Sequence, residues 1–403
     1  MAPAIPLAPR APLRRHARLE ETEISALPVK GELPEQLHGT LLRIGPDRAD
    51  GQPLVAALRI RQGHAEWFRT RRVRTDLVCR ITGELPAPGP RVCPSDNANS
   101  AVIQHAGRIL ALGEGVLPYE LTPDFATKAR HDFDGTLPFG FAANAVHDPL
   151  TGELFAAVTT AAAPHLWYVV VDARGRVRRR EPIPTSSCRE TPAFAVTHRH
   201  AVFHAPGRIG IMPRAGTAHQ LTWVDIEPGC VGSVLNAFDL TDDRLVLDTV
   251  RPGAAGPTLW RFTLDPVRMT AAGEVLDHHA QGSPTVDPRH RGSECRYGFA
   301  TRLTHTSGRG SALIRHDLVT GTRQIHGPGS GRVFGAPVFV PRSPLAPEGD
   351  GWVLAFTHQT GSGSHEVVAV DTNDFEGEPT AVVGVAPVDH RETQATWLMA
   401  APW

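Results

Sequence analysis

The sequence predicts an all-β fold, and three observations carry that prediction. Glycine and proline are abundant, with Gly 38 and Pro 36 in 403 residues. They fall between short β-branched or aromatic runs, in order AALRIR, RILAL, ELFAAV, WYVVV, RLVLDTV, VFV, WVLAF and EVVAV. Short runs separated by turn formers at regular spacing indicate a sandwich, a barrel or a propeller. The third observation is a weak internal repeat of strand, Asp-containing turn with Gly, and strand. It occurs as HDPLTGELFAAV from His147, VDARGRVRRREPI from Val171, HDLVTGTRQIH from His316 and VDTNDFEGEPTAVV from Val370. Asp or Asn bonds its own backbone in such turns and Gly supplies positive φ. Repeats at intervals of tens of residues suit the blades of a propeller, whose radial repetition protects sheet edges. Helix is scarce. The best segment is PDFATKARH, Pro123 to His131, with Pro early and basic residues late.

Composition narrows the function classes. Lys+Arg 41 against Asp+Glu 42 leaves a net charge of −1, so no global field recruits nucleic acid or anionic lipid. Cys79, Cys93, Cys188, Cys230 and Cys295 are odd in number and far apart, with no C-x-x-C pair. That spacing argues against a disulfide frame and a structural zinc site, and fits a reducing cytoplasm. The first residues, MAPAIPLAPRAPLRRHARLE, are broken by prolines and followed by no apolar segment, unlike a signal peptide or a membrane span. Residues 1–25 therefore read as an arm, and 26–403 as one β-propeller domain with no internal linker. An apolar small-molecule ligand, without nucleic acid and without a transmembrane segment, is the partner expected.

Several blocks in order resemble one family. VKGELPEQLHGTLLRIGPD (Val29 to Asp47), HAEWFRTRRVRT (His64 to Thr75) and NANSAVIQHAGRILALGEGVLPYEL (Asn97 to Leu121) are followed by DPLTGEL, FAVTHRHAVF, LNAFDL and SPTVDPRHRGSECRYGF (Ser283 to Phe299). The C-terminal GAPVFVPRSPLAPEGDGWVLAF, HEVVAVDTNDFEGEPTAVV and QATW complete the set. Together they resemble the carotenoid cleavage oxygenase family. The resemblance implies a seven-bladed β-propeller with an axial iron site under a dome of loops, and an apolar tunnel for carotenoid or related substrates. The family's H-W-F-x-G-D-G-M block is missing, replaced by ADGQPLVAALRI, so a reduced dome is expected.

The resemblance also implies four iron-binding histidines, and this chain has none of them. Asn144 stands at the first place, ahead of His147-Asp148-Pro149. Pro192 stands at the second, in PAFAVT, and Ser233 at the third, in SVLNAFD. Gln394 stands at the fourth, two residues before Thr396-Trp397. Amide and hydroxyl oxygens are poor iron ligands beside imidazole, and proline offers no side-chain donor. Of the carboxylates that would orient those histidines, Gly282 and Ala336 replace two, and Glu114 survives as a third. Neighbouring histidines do not restore the set. His147 lies on the opposite strand face from Asn144, His198 is about 20 Å along an extended strand from Pro192, and His390 is about 13 Å from Gln394. Ser233 has no histidine within a dozen positions. No metal or other cofactor is expected. His105, His316, His198, His200 and the pair His278–His279 read as structural or surface residues, as does the basic run Arg71, Arg72, Arg74.

The expected function is a metal-independent enzyme on an oxygenase frame, acting on an apolar isoprenoid or polyene by cyclisation, isomerisation or lysis. Such chemistry needs a carboxyl raised by apolar surroundings, and Glu114, Glu190 and Asp239 are the catalytic candidates. Asn144, Pro192, Ser233 and Gln394 would meet the substrate beside a lining drawn from Phe141, Phe299, Phe334, Trp352 and Trp397. The alternative is a non-catalytic pseudo-oxygenase that binds a carotenoid or another long apolar molecule. An iron dioxygenase with a rebuilt site is the third possibility.

Overall fold

Strands of this chain come in two chemical kinds, and their positions in the sheets explain both. Leu154–Thr159, Leu166–Val171 and Gly351–Gln359 are largely apolar on both faces and buried nearly throughout. Val177–Pro182, by contrast, alternates half-buried and exposed residues. A computed structural model, describing residues 21–47, 51–92, 96–160, 166–185, 193–226, 231–304, 308–388 and 394–399, places the first kind in the middle of sheets and the second at an outer edge.

There are seven antiparallel sheets, or blades, each starting at a central axis and stepping outward by hairpins. Blades one to five follow chain order, with innermost strands Ala101–His105, Val146–His147, Phe194–Val196, Val234–Asp239 and Gln281–Val286. Blade six starts with Arg332–Phe334 and Val338–Pro341 and takes Val29–Gly31 as its outer strand. Blade seven starts with the C-terminal strand Ala395–Met399, which pairs with Gly39–Pro46. The ring is therefore closed by joining the two ends of the chain.

Seven apolar clusters lie between the sheets, one at each interface. Ile44 and Val55 of blade seven meet Val102 and Tyr119 of blade one, for example, and Leu41 and Leu58 of blade seven meet Trp352 and Leu354 of blade six. Seven sheets with seven buried interfaces form a closed ring, whereas an open row would have six. Gly39 shows how tight the closure is: a Cβ there would lie 2.5 Å from the Trp397 ring and the Leu398 carbonyl. Between blades one and two the ring is tied by loop backbone, with the Phe141 N–H donating to the Val116 carbonyl at 2.8 Å and the Gly115 N–H to the Phe141 carbonyl at 2.9 Å.

The four repeated turns are hairpin turns. Asp148, Asp172, Asp317 and Asp371 each accept backbone N–H groups within their own turn. Gly152, Gly175 and Gly321 have φ near +70° to +80°. The arm assigned to residues 1–25 reaches into the sheet at its end, since Glu23 and Ile24 pair with Arg69 and Phe68.

The helix expected over Pro123–His131 is not formed. Phe125 has φ +67°, and Thr127–Arg130 is the outer strand of blade one, paired with Tyr119–Leu121. Ladder bonds to a neighbouring strand there override the local helix signals. The single α-helix of the described residues is Asp76–Thr82, capped by the Thr75 hydroxyl accepting from the Val78 N–H and ended by Gly83 in the left-handed region. Both caps were present in the sequence.

His316, buried in blade five, pairs its Nε2 with Gln281 Oε1 at 2.8 Å, and burial pulls its pKa down to about 4. Because the unfolded imidazole titrates near 6.5, the unfolded chain binds the extra proton, and stability falls as pH drops from about 6.5 to about 4. The slope from this residue is at most about 1.4 kcal/mol per pH unit. Urea denaturation at pH 4.5 and 7.5 is expected to show a smaller acid loss for His316→Gln than for wild type; equal losses would remove His316 as a cause.

Candidate functional site

The innermost strands all run the same way along the axis, because each blade begins there and turns outward in the same sense. Residues just ahead of those strands consequently gather at one mouth of the propeller. Asn144 is two residues ahead of Val146–His147, Ser233 one ahead of Val234–Asp239, and Gln394 one ahead of Ala395–Met399. Blades two, four and seven thus each bring one of these residues to the same end. Pro192 precedes Phe194–Val196 by two positions but lies outside the described residues, as does Glu190. Asn144 is half-buried, while Ser233 and Gln394 are exposed.

Glu114 belongs to this mouth. It sits in the connection between Arg108–Leu112 and Tyr119–Leu121 and reaches across to blade two. Its Oε1 accepts from the Thr159 hydroxyl at 2.5 Å, and its Oε2 accepts from the Ala143 N–H at 3.3 Å. The carboxylate therefore holds the backbone immediately before Asn144. Thr159 had no signal in the sequence, being 45 residues away in the chain.

Asp239 belongs to the opposite mouth. It ends the strand that Ser233 precedes, and six residues of extended chain span about 20 Å. Its carboxylate accepts from the Thr197 hydroxyl at 2.8 Å, the Arg199 N–H at 2.9 Å and His200 Nδ1 at 2.7 Å. Burial alone would raise its pKa, but these donors outweigh burial and hold it below the ordinary carboxylate range. A carboxylate held in this way ties blade three to blade four and is poorly suited to donate a proton.

The aromatic candidates are accounted for by packing. Phe141 is fully buried against Phe133, at 5.0 Å between ring centres, in the cluster between blades one and two. Phe299 stacks on Phe339 at 5.1 Å, and Phe334 joins the same cluster between blades five and six. Trp397 lies over Gly39 at the closure, and Trp352 is buried beneath the Arg342 guanidinium, 4.5 Å from the ring centre. Sequence alone does not separate a tunnel aromatic from one that fills an interface between blades.

Several of the other singled-out residues are partnered. His105 Nε2 meets the Asp172 carbonyl at 2.8 Å, and His279 Nδ1 meets Asp277 at 2.9 Å. Arg71 pairs with Glu23 at 2.7 Å, Arg72 with Asp47, and Arg74 with Glu84 at 2.9 Å.

An iron ion held by neutral imidazoles, which the resemblance implies, finds no imidazole at Asn144, Ser233 or Gln394. Among the described residues no group of three or more His, Cys, Asp or Glu side chains is placed to hold a metal. At Gly282, on the innermost strand of blade five, a Cβ would meet only Leu303, at an ordinary 3.4 Å. Sterics therefore do not explain the missing side chain. The donor set does not fit the group.

A closed ring of seven blades with loop-borne polar groups at one axial mouth defines an axial-site β-propeller. The chain belongs to the retinal pigment epithelial membrane protein family, whose model matches residues 15–207 and 204–391. It is 28% identical over 460 residues to the carotenoid cleavage oxygenase of Mycobacterium tuberculosis, covering 89% of this chain and 92% of that one. It is 25% identical to the isoeugenol monooxygenase of Pseudomonas nitroreducens, covering 90% and 92%. Its fold is that of the Pseudomonas brassicacearum lignostilbene dioxygenase crystal structure, with TM-score 0.85 at 24% identity over 98% of this chain and 100% of that one. An apocarotenoid oxygenase from Synechocystis gives TM-score 0.81 at 21% identity over 96% and 98%. No helix among the described residues is long and apolar enough to cross a membrane.

Asp239→Ala leaves three donors without their acceptor and is expected to cost about 1–3 kcal/mol in urea denaturation. The loss should shrink as pH falls through the carboxylate range, because protonation removes the ion's advantage in wild type too. A neutral substitution would show that the tie between blades three and four is not formed.

Proposed function

We propose that this chain is a metal-independent enzyme that uses the oxygenase frame to bind an apolar isoprenoid or polyene and transform it by shape and acid–base chemistry, through cyclisation, isomerisation or lysis. The observation that carries the reading is the neutral polar set Asn144, Ser233 and Gln394, converging from three blades on the mouth where the family resemblance places iron. Neutral amides and a hydroxyl hydrogen-bond a ligand without titrating near pH 7. The names of the relatives, which refer to carotenoids, isoeugenol and lignostilbene, support an unsaturated apolar substrate. Glu114 is the carboxylate at this mouth and the first choice for proton transfer. Glu190, two residues before Pro192, is the second. Asp239, at the other mouth and firmly ionised, is set aside. We place the activity in the cytoplasm, on the cysteine pattern.

A second reading has a specific observation behind it. Both oxygens of Glu114 already accept hydrogen bonds, from Thr159 and Ala143. A carboxylate so engaged shapes the Asn144 loop, which suits a non-catalytic binder of the same ligand class.

The test is incubation with isoprenoids and polyenes in the presence of a strong chelator, with products followed by mass. Turnover is expected to be unchanged by chelation and reduced at least 100-fold in Glu114→Gln, as for loss of a general acid or base. Saturable binding without turnover across the panel would move the assignment to the binder. Activity lost under chelator and restored by ferrous iron would overturn the metal-independent reading.

A further inference from the structure

A serine and a histidine meet on the side of the propeller opposite Asn144, and the reaction proposed above uses neither. The Ser293 hydroxyl lies 3.1 Å from His198 Nε2. That distance is within the reach a general base needs to take a proton from a nucleophile. His198 belongs to the turn between Phe194–Val196 and His200–Ala205 in blade three, and Ser293 to the connection between Gln281–Val286 and Tyr297–Leu303 in blade five. The two are 95 positions apart in the chain, so His198 reads as a surface residue until the blades are assembled.

Blade four holds both partners in place. Asn236, only 3% exposed on its innermost strand, accepts from the Gly292 N–H at 3.0 Å and donates to the Ser293 carbonyl at 2.7 Å. The Ser293 N–H closes a turn on the His290 carbonyl at 3.0 Å. Gly292, immediately before the serine, has φ +86°, and a Cβ there would be in ordinary contact with the His198 ring at 3.6 Å. The serine is therefore carried on a tight turn beside the imidazole. Asp239, also of blade four, accepts from the Thr197 hydroxyl at 2.8 Å and the Arg199 N–H at 2.9 Å, the residues on either side of His198.

The pair is open to a substrate, since Ser293 is half-buried and His198 exposed. A neutral imidazole with its proton on Nδ1 accepts the hydroxyl proton at Nε2. The next residue, Glu294, is exposed, and its backbone N–H meets no acceptor among the described residues. An N–H directly after the nucleophile is where acyl-transfer sites stabilise the developing oxyanion. A surface position suits short acyl groups on good leaving alcohols.

We propose that Ser293 and His198 form a second catalytic site, one that hydrolyses short-chain acyl esters. Ser293 Oγ attacks the ester carbonyl carbon, and its proton passes to His198 Nε2. The carbon–oxygen bond to the alcohol then breaks, and the alcohol leaves with that proton. Water attacks the acyl-serine by the same route and releases the carboxylic acid. Full-length protein is incubated with p-nitrophenyl acetate and, separately, with an alkyl fluorophosphonate, followed by intact mass and peptide mapping. One adduct on Ser293 is expected, with fluoride released, and the adduct should abolish nitrophenol release. Ser293→Ala should lose both signals, and His198→Gln should slow both at least about 100-fold, as for loss of a general base. Ser362→Ala, at an exposed turn of blade six, should behave as wild type does. The proposal fails if wild type takes no adduct, if the adduct lies on another residue, or if Ser293→Ala releases nitrophenol as fast as wild type. A wild-type labelling rate in His198→Gln also overturns it, because the hydrogen bond would then only tie blade three to blade five. Should Ser293→Ala not fold, the His198→Gln labelling rate decides. Neither outcome bears on Glu114, which belongs to the other mouth.

Discussion

Closure of the ring by Ala395–Met399 against Gly39–Pro46 is the interaction on which the rest of the molecule depends. Every sheet carries apolar side chains into the clusters on both of its faces, so each needs a neighbour on each side. Without the closing pair, the clusters between blades six and seven and between seven and one would face water. Burial of one large apolar side chain contributes about 1.5–3 kcal/mol, and those two clusters hold Leu41, Leu58, Trp352, Leu354, Ile44, Tyr119 and more. Their loss would exceed the net stability of an ordinary domain, about 5–15 kcal/mol. Closure is therefore all or none, and it creates the axis.

The direction of the innermost strands then separates two chemistries. Their N-terminal ends bring Asn144, Ser233 and Gln394 together, with Glu114 fastening the Asn144 segment. Their C-terminal ends carry His147 and Asp239. Ser233 and Asp239 are six positions apart in sequence yet serve opposite mouths. The same polarity makes Glu114 and Asp239 different carboxylates: the first is held by two donors at the neutral mouth, and the second is kept ionised by Thr197, Arg199 and His200.

Much of the fold was legible before any coordinates. Doubly buried strands leave continuous apolar runs such as WYVVV, and the Asp–Gly turns carry their own hydrogen bonds and φ values, so both are written locally. The helix was misplaced for a related reason: Pro123 to His131 has helix-like ends, but pairing with Tyr119–Leu121 decides its state, while the Thr75 and Gly83 caps of the true helix lie in a segment with little apolar periodicity. At the site, residue identities were legible. Glu114's partners were not, because the Thr159 contact crosses from one blade to the next.

The sequence by itself determined the strand inventory and the turn chemistry, since each depends on residue type and near neighbours. Tertiary structure alone decided which mouth each group faces and which aromatics are consumed by interfaces between blades. Those outcomes depend on strand direction and ring closure, which bring together residues tens to hundreds of positions apart.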